Sequence, residues 1–139
     1  MQTVNFEDAL KKIVDANPRY HRDAYVFLRE ALEFTQRDRP KKEKENIRHV
    51  SGNELLNGIR DYALQEYGPM ALTVLDEWGI RACEDFGEIV FIMIDHHLLA
   101  KNANDSRDDF KGGYDFQDAF RKPFLPKNRQ STDPTSVEV

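Results

Sequence analysis

The sequence predicts a mainly α fold, a compact bundle of about five to six helices. Three observations predict it. Apolar residues recur at helical spacing in five separate stretches. Ser51 and Glu54 form a helix-start signature ahead of the strongest of them. Gly68-Pro69 and Gly79 then punctuate the run at the places where helices stop and restart.

Phe6 to Ala16 reads as the first helix. Asn5 is its N-cap, Glu7 and Asp8 answer the dipole in its first turn, and Asn17-Pro18 ends it. Phe6, Leu10, Ile13 and Val14 share one face. His21 to Gln36 reads as the second helix, with Ala24, Phe27, Leu28, Ala31, Leu32 and Phe34 as its apolar stripe. Arg37 to Val50 is a highly charged, exposed connector with Pro40 near its start.

The third helix starts at the Ser51/Glu54 capping box and runs to about Tyr67, with Leu55, Leu56, Ile59, Tyr62 and Ala63 on one face. Gly68 stops it. Pro69 opens a fourth helix to Trp78 that buries Leu72, Leu75 and Trp78, and Gly79 ends that one. A fifth helix opens at Glu84 or Asp85 and reaches about Ala100. Its wide apolar face, Phe86, Ile89, Val90, Met93, Ile94 and Leu98, makes it the central core helix. Residues 89–92 also admit a buried strand; the length of the flanking pattern favours helix. Asn102 to Gly113 is a polar turn region. Tyr114 to Phe120 reads as a short helix, because Phe116, Phe120 and Phe124 recur every four residues. Residues 1–126 form a single domain, and 127–139 are expected to be a disordered tail. The fourth and fifth helices also admit a winged-helix-like core, with a short hairpin near residues 99–116 as its wing.

The chain has 139 residues, about one domain, and carries a net charge of −5. That charge disfavours indiscriminate attraction to nucleic-acid phosphate. The lone Cys83 excludes an internal disulfide and reads as a small buried hydrophobe. The N-terminus shows no basic start followed by an apolar run, and the longest apolar run, Ile89 to Ile94, is far short of the roughly 20 residues of a membrane span. A cytoplasmic location without membrane contact is the expectation.

The charge is unevenly spread. Ser51 to Leu99 holds nine acids against Arg60 and Arg81, a net of −7. Arg37 to Arg48 holds six basic residues, Arg37, Arg39, Lys41, Lys42, Lys44 and Arg48, against three acids, a net of +3. A bipolar surface of this kind meets a partner of matching polarity.

Catalytic chemistry is weakly represented. His96 and His97 would point about 100° apart on a helix and so do not converge on one ion; they read instead as caps on the C-terminal end of the fifth helix. Glu84 and Glu88 lie four apart and read as answers to the helix dipole, although paired carboxylates elsewhere perform acid–base work. With His96 and His21 they are the residues from which a metal site or enzyme would have to be built. Asn102 to Gly113 lacks the glycine and glutamate of a calcium loop. Ser51 and Ser106 lack a nucleophile-elbow setting, and Gly112-Gly113 is followed by Tyr114 rather than by the Lys-Ser/Thr of a phosphate loop. No catalytic residue, metal or cofactor is expected.

A protein-interaction or adaptor domain is the favoured reading. Its candidate contacts are the basic residues above, the acids Glu84, Asp85 and Glu88, and the aromatics Phe110 and Tyr114 of an arm rich in rings. The alternative is a nucleic-acid-associated regulator that uses the basic loop 37–48. The acids of the fifth helix count against groove reading, which needs Arg, Lys, Asn or Gln there.

Three strings, HVSGNELLNGIRDYALQEYGPMALTVLDEWGI (49–80), EDFGEIVFIMI (84–94) and DFKGGYDFQDAF (109–120), carry a resemblance. Together they resemble an uncharacterised family of small proteins reported as restricted to Planctomycetes and Verrucomicrobia, over roughly Tyr20 to Leu125. The resemblance implies a bacterial cytosolic protein. That family has no assigned activity, cofactor or catalytic residues, so it adds no functional residue.

Overall fold

The computed structural model describes residues 6–37, 51–99 and 107–126. The fold is all-α. The helices are α1 (Phe6–Ala16), α2 (Arg22–Arg37), α3 (Gly52–Tyr67), α4 (Ala71–Glu77) and α5 (Cys83–Asp95), followed by short turns at Arg107–Phe110, Gln117–Arg121 and Lys122–Phe124. The expected Asn5 cap, most of the charged connector and the tail lie outside the described residues.

α3 begins as its sequence dictates. The Ser51 hydroxyl accepts from the Glu54 N–H at 3.1 Å, and the Glu54 carboxylate accepts from the Ser51 N–H at 2.9 Å. Two orphan donors of the first turn are thereby satisfied. α2 and α3 form the main helix pair, and α5 packs on α2. α2 and α3 approach closely because Gly58 has no side chain. A Cβ there would fall 1.7 Å from the Thr35 hydroxyl oxygen. Thr35 is buried at this crossing, and its hydroxyl donates back to the Ala31 carbonyl at 2.7 Å. Thr35 and Tyr25 thus belong to the inner stripe of α2, whereas Leu32 and Phe34 are only half-buried.

Pro69 does open a new element, but as the 3-10 turn Gly68–Met70, and α4 proper is two turns long. Of the residues expected to be buried on it, Leu75 is inside, while Leu72 and Trp78 are half-buried. Trp78 instead joins an aromatic cluster with Phe27 (centroids 5.5 Å apart) and Tyr67 (5.8 Å). α4 ends in a Schellman motif: Ile80 N–H bonds the Leu75 carbonyl and Gly79 N–H the Asp76 carbonyl. Gly79 takes φ +90°, and a Cβ on it would sit 2.6 Å from the Arg19 carbonyl oxygen. Only glycine meets both demands.

α5 is a helix through residues 89–92, not a strand, and it is buried around most of its girth. It stops at Asp95, before the expected Ala100. The stop is a second Schellman motif, with Leu98 N–H on the Met93 carbonyl and His97 N–H on that of Ile94. Here His97, not glycine, supplies the left-handed residue at φ 62°. His96 adds a bond between its Nδ1 and the Ile92 carbonyl at 2.9 Å. The pair of histidines therefore spends itself on a helix end.

The described part of the segment expected to form a hairpin near 99–116 holds no strand. Arg107–Phe110 is a 3-10 turn seated on α3 and α5, with the Phe110 ring over Gly87. The buried ring fixes this turn against the core, where a wing would project from it. After it the chain crosses Cys83, whose sulfur bonds the Tyr114 N–H (3.4 Å) and carbonyl (3.5 Å). Phe116 and Phe120 then close the core against Phe86, with Phe86 and Phe116 stacked at 5.5 Å. The expected helix at Tyr114 to Phe120 is displaced to a π-helical turn followed by a 3-10 turn that starts at Lys122 ahead of Pro123.

Candidate functional site

Two places gather chemically distinctive residues. The first is a clasp around Asp85. This carboxylate is buried (7% exposed) in the first turn of α5. One oxygen accepts from the Tyr20 hydroxyl (2.7 Å) and the Arg19 guanidinium (3.0 Å); the other accepts from the Arg81 N–H (2.8 Å) and the Ala82 N–H (3.2 Å). The two N–H groups are orphan donors ahead of the helix start, so the carboxylate caps α5 from its third residue, as a capping-box acid does. The side chains from the α1–α2 loop supply the remaining bonds. With both oxygens doubly engaged, Asp85 has no side open to a substrate proton, and its chemistry is that of an anchor. Burial, and then the bond to Asp85, push the Tyr20 hydroxyl well above the ordinary tyrosine range. Tyr25, fully buried nearby, is pushed up to about 12 by burial and then by the charge of Glu88.

The second is a groove. One wall is α4 with its flanks, running from Pro69 through Leu72, Thr73 and Asp76 to Ile80 and Arg81. The other is the C-terminal arm, running the opposite way from Asp115, Phe116 and Gln117 to Phe120, Arg121, Phe124 and Leu125. The half bounded by Asp76, Arg81 and Asp115 is a cleft of about 510 Å3, and the half bounded by Pro69, Arg121 and Leu125 one of about 320 Å3; Leu72 and Thr73 line both. The floor is apolar, since Ile80, Phe116 and Phe120 are buried core residues. The charged groups stand on the rim. Asp76 is held by the Arg81 guanidinium at 2.8 Å. The Asp115 carboxylate caps the π-helical turn by accepting from the Gln117 N–H (2.7 Å) and the Asp118 N–H (3.3 Å). Among the described residues Arg121 reaches only the Gln117 side-chain oxygen, at 3.4 Å.

The mouth of the smaller half is where large apolar side chains face solvent. Met70 is 56% exposed, Leu125 47% and Phe124 44%. They are the exposed large hydrophobics of the described residues; Phe124 and Leu125 line this half, and Met70 follows its lining residue Pro69 in the chain.

The residues singled out from sequence fall differently. Arg37 is the exposed last residue of α2; Arg39, Lys41, Lys42, Lys44 and Arg48 lie outside the described residues. Glu84 is exposed in the first turn of α5 and Glu88 half-buried one turn on. Asp85 and Phe110 are buried and so offer nothing to a surface partner. Tyr114 is half-buried, and its hydroxyl donates to the Leu56 carbonyl at 2.8 Å, which ties the arm to α3. Cys83 is buried, and burial pushes its thiol up. His21 lies at the start of α2, where its Nδ1 accepts from the Asp23 N–H at 3.0 Å, while His96 closes the far end of α5. Among the described residues no three His, Cys, Asp or Glu side chains are grouped to hold a metal, and no helix is long and apolar enough to cross a membrane.

Periodicity reaches Leu72, Phe116 and Phe120 of the groove but not its exposed end. Phe124 reads as the last of a series of rings spaced by four, and Leu125 belongs to no stripe. An apolar pair held between Pro123 and Pro126, where an amphipathic helix cannot continue, is the signal available in the sequence. No family model, no curated protein and no solved structure matches the chain.

Proposed function

We propose that the chain is a non-catalytic protein-interaction domain of adaptor type whose docking surface is the groove between α4 and the C-terminal arm. One observation carries this reading: Phe124 and Leu125, both nearly half exposed, line one end of a groove with an apolar floor and a charged rim, and the exposed Met70 follows the lining Pro69 in the chain. Water-exposed apolar groups of this size cost free energy in the isolated molecule, at about 25 cal/mol per Å2, and a partner that covers them recovers it. An apolar centre rimmed by charge is also the usual anatomy of a protein interface. The Asp85 clasp supports the groove mechanically, because Arg81 gives its N–H to Asp85 and its guanidinium to Asp76 on the rim.

The test is affinity capture from the source cells with the wild type and with Leu125→Asp side by side. A protein retained by the wild type and lost with the variant is the expected result. Capture that is identical for the two chains contradicts the reading.

A further inference from the structure

We propose that the occupant of this groove is a second copy of the chain, docked antiparallel about a two-fold axis that passes near Thr73. The proposal rests on the groove being a protein-docking surface and names its partner.

The surface carries exposed apolar side chains at one end and a larger recess at the other. Phe124 and Leu125, nearly half exposed, line the smaller half, and the 510 Å3 cleft over Leu72, Ile80 and Phe116 opens at the other end. Leu72 and Thr73 lie between them, common to both halves. A two-fold rotation about that middle brings the exposed Phe124 and Leu125 of each copy over the apolar-floored cleft of its partner. The same operation repeats the contact in the other direction. Two reciprocal contacts close the assembly at two subunits, as an isologous interface requires.

The rim charges obey the same symmetry. Asp115 stands at the larger cleft and Arg121 at the end that carries the exposed Phe124 and Leu125. Among the described residues neither makes an ion pair. The Asp115 carboxylate is satisfied by backbone N–H groups, and Arg121 touches only the Gln117 amide. Their neighbours are already committed, Asp76 to Arg81 and Lys122 to Asp118 at 2.7 Å. The antiparallel arrangement sets Asp115 of each copy against Arg121 of the other, twice per dimer. A parallel arrangement lays the arm of each copy over α4 of the other and leaves Arg121 facing the uncharged Pro69 end, with no such pair formed. A foreign partner would have to reproduce this pattern of apolar anchor, acid and base in reverse order. The chain itself already carries it.

Sedimentation equilibrium of the full chain, from about 1 µM to about 1 mM, is the direct test, since small interfaces dissociate in that range. The expected result is a monomer–dimer equilibrium with no larger species. Leu125→Asp should weaken the dimer by about 10-fold or more. Asp115→Asn keeps the acceptor that caps the turn and removes the charge; it and Arg121→Gln should each weaken the dimer by about 5-fold. The double variant should be hardly weaker than either single one, because both remove the same ion pair. A chain that stays monomeric throughout, a dimer indifferent to Leu125→Asp, strictly multiplicative effects of the two charge variants, or open-ended polymers would each overturn the proposal. A monomer that nevertheless captures another protein through Leu125 overturns the second-copy occupant and leaves the docking surface standing. A monomer that captures nothing removes both.

Discussion

The Tyr20 hydroxyl donates a 2.7 Å hydrogen bond to the Asp85 carboxylate across 65 positions of sequence, and it does so inside the protein. The fully buried hydroxyl of Tyr25, five residues later, has no hydrogen-bond partner among the described residues. Tyr20, in the loop before α2, and Tyr25, within α2, thus differ in whether their polar end is satisfied.

That difference separates two otherwise identical substitutions. Tyr20→Phe leaves Asp85 with one fewer donor in a buried site and is expected to cost about 1–2 kcal/mol. Tyr25→Phe removes an orphan hydroxyl and should be neutral or stabilise by up to ~1 kcal/mol. Urea midpoints of the two variants measure both. Equal losses from the two would show that Tyr25 has a partner the geometry does not reveal.

All five tyrosines are held above their ordinary range, each chiefly by burial: Tyr20, Tyr25, Tyr62, Tyr67 and Tyr114. Tyr25 and Tyr62 are pushed up to about 12, Tyr62 with help from Glu30, to which its hydroxyl donates at 3.1 Å. A raised value means that the folded state keeps protons the unfolded state releases once pH passes about 10. Stability is therefore intact below pH 10 and falls as pH climbs beyond it. Absorbance at 295 nm should show little tyrosinate in the folded protein at pH 10, and ionisation should appear together with loss of helical circular dichroism. Normal titration of several tyrosines ahead of unfolding would contradict the burial of these rings.

The two Schellman motifs make opposite predictions for glycine. His97 holds φ 62° with a side chain, so His97→Gly should relieve backbone strain and stabilise by about 1 kcal/mol. Gly79 holds φ +90° with Arg19 pressed against it. Gly79→Ala should therefore destabilise by about 2 kcal/mol or more and pull on the Arg19–Tyr20 arm of the Asp85 clasp. Thermal or urea unfolding decides both signs. A destabilised His97→Gly would mean that the imidazole does more at the helix end than hold the turn.

Helix positions were legible because local chemistry sets them. The Ser51/Glu54 box, the Gly68-Pro69 and Gly79 stops and the histidines at the end of α5 all act within five residues. The long-range devices were not legible. Nothing near Gly58 announces that Thr35 will occupy the space of its missing side chain, because that contact exists only once α2 and α3 have met. The acid pair at Glu84 and Glu88 attracted notice for its spacing, yet the buried carboxylate is the intervening Asp85. It points inward because orphan N–H groups and the α1–α2 loop converge on it, not because of any periodicity. The sequence presents the arm as a source of aromatic anchors. Phe110, Phe116 and Phe120 went into the core, and the exposed remainder, Phe124 and Leu125, is what the core had no room to cover.

Photo-crosslinking measures the use of the groove most directly. A benzophenone side chain placed at Gln117, on the rim, should form protein–protein adducts when irradiated at working concentration, and the same group at the exposed Lys12 of α1 should not. Adducts confined to the Gln117 position, and abolished by adding Leu125→Asp, are the predicted result. Equal crosslinking from both positions, or none from Gln117, would contradict the assignment of the groove as the interaction surface.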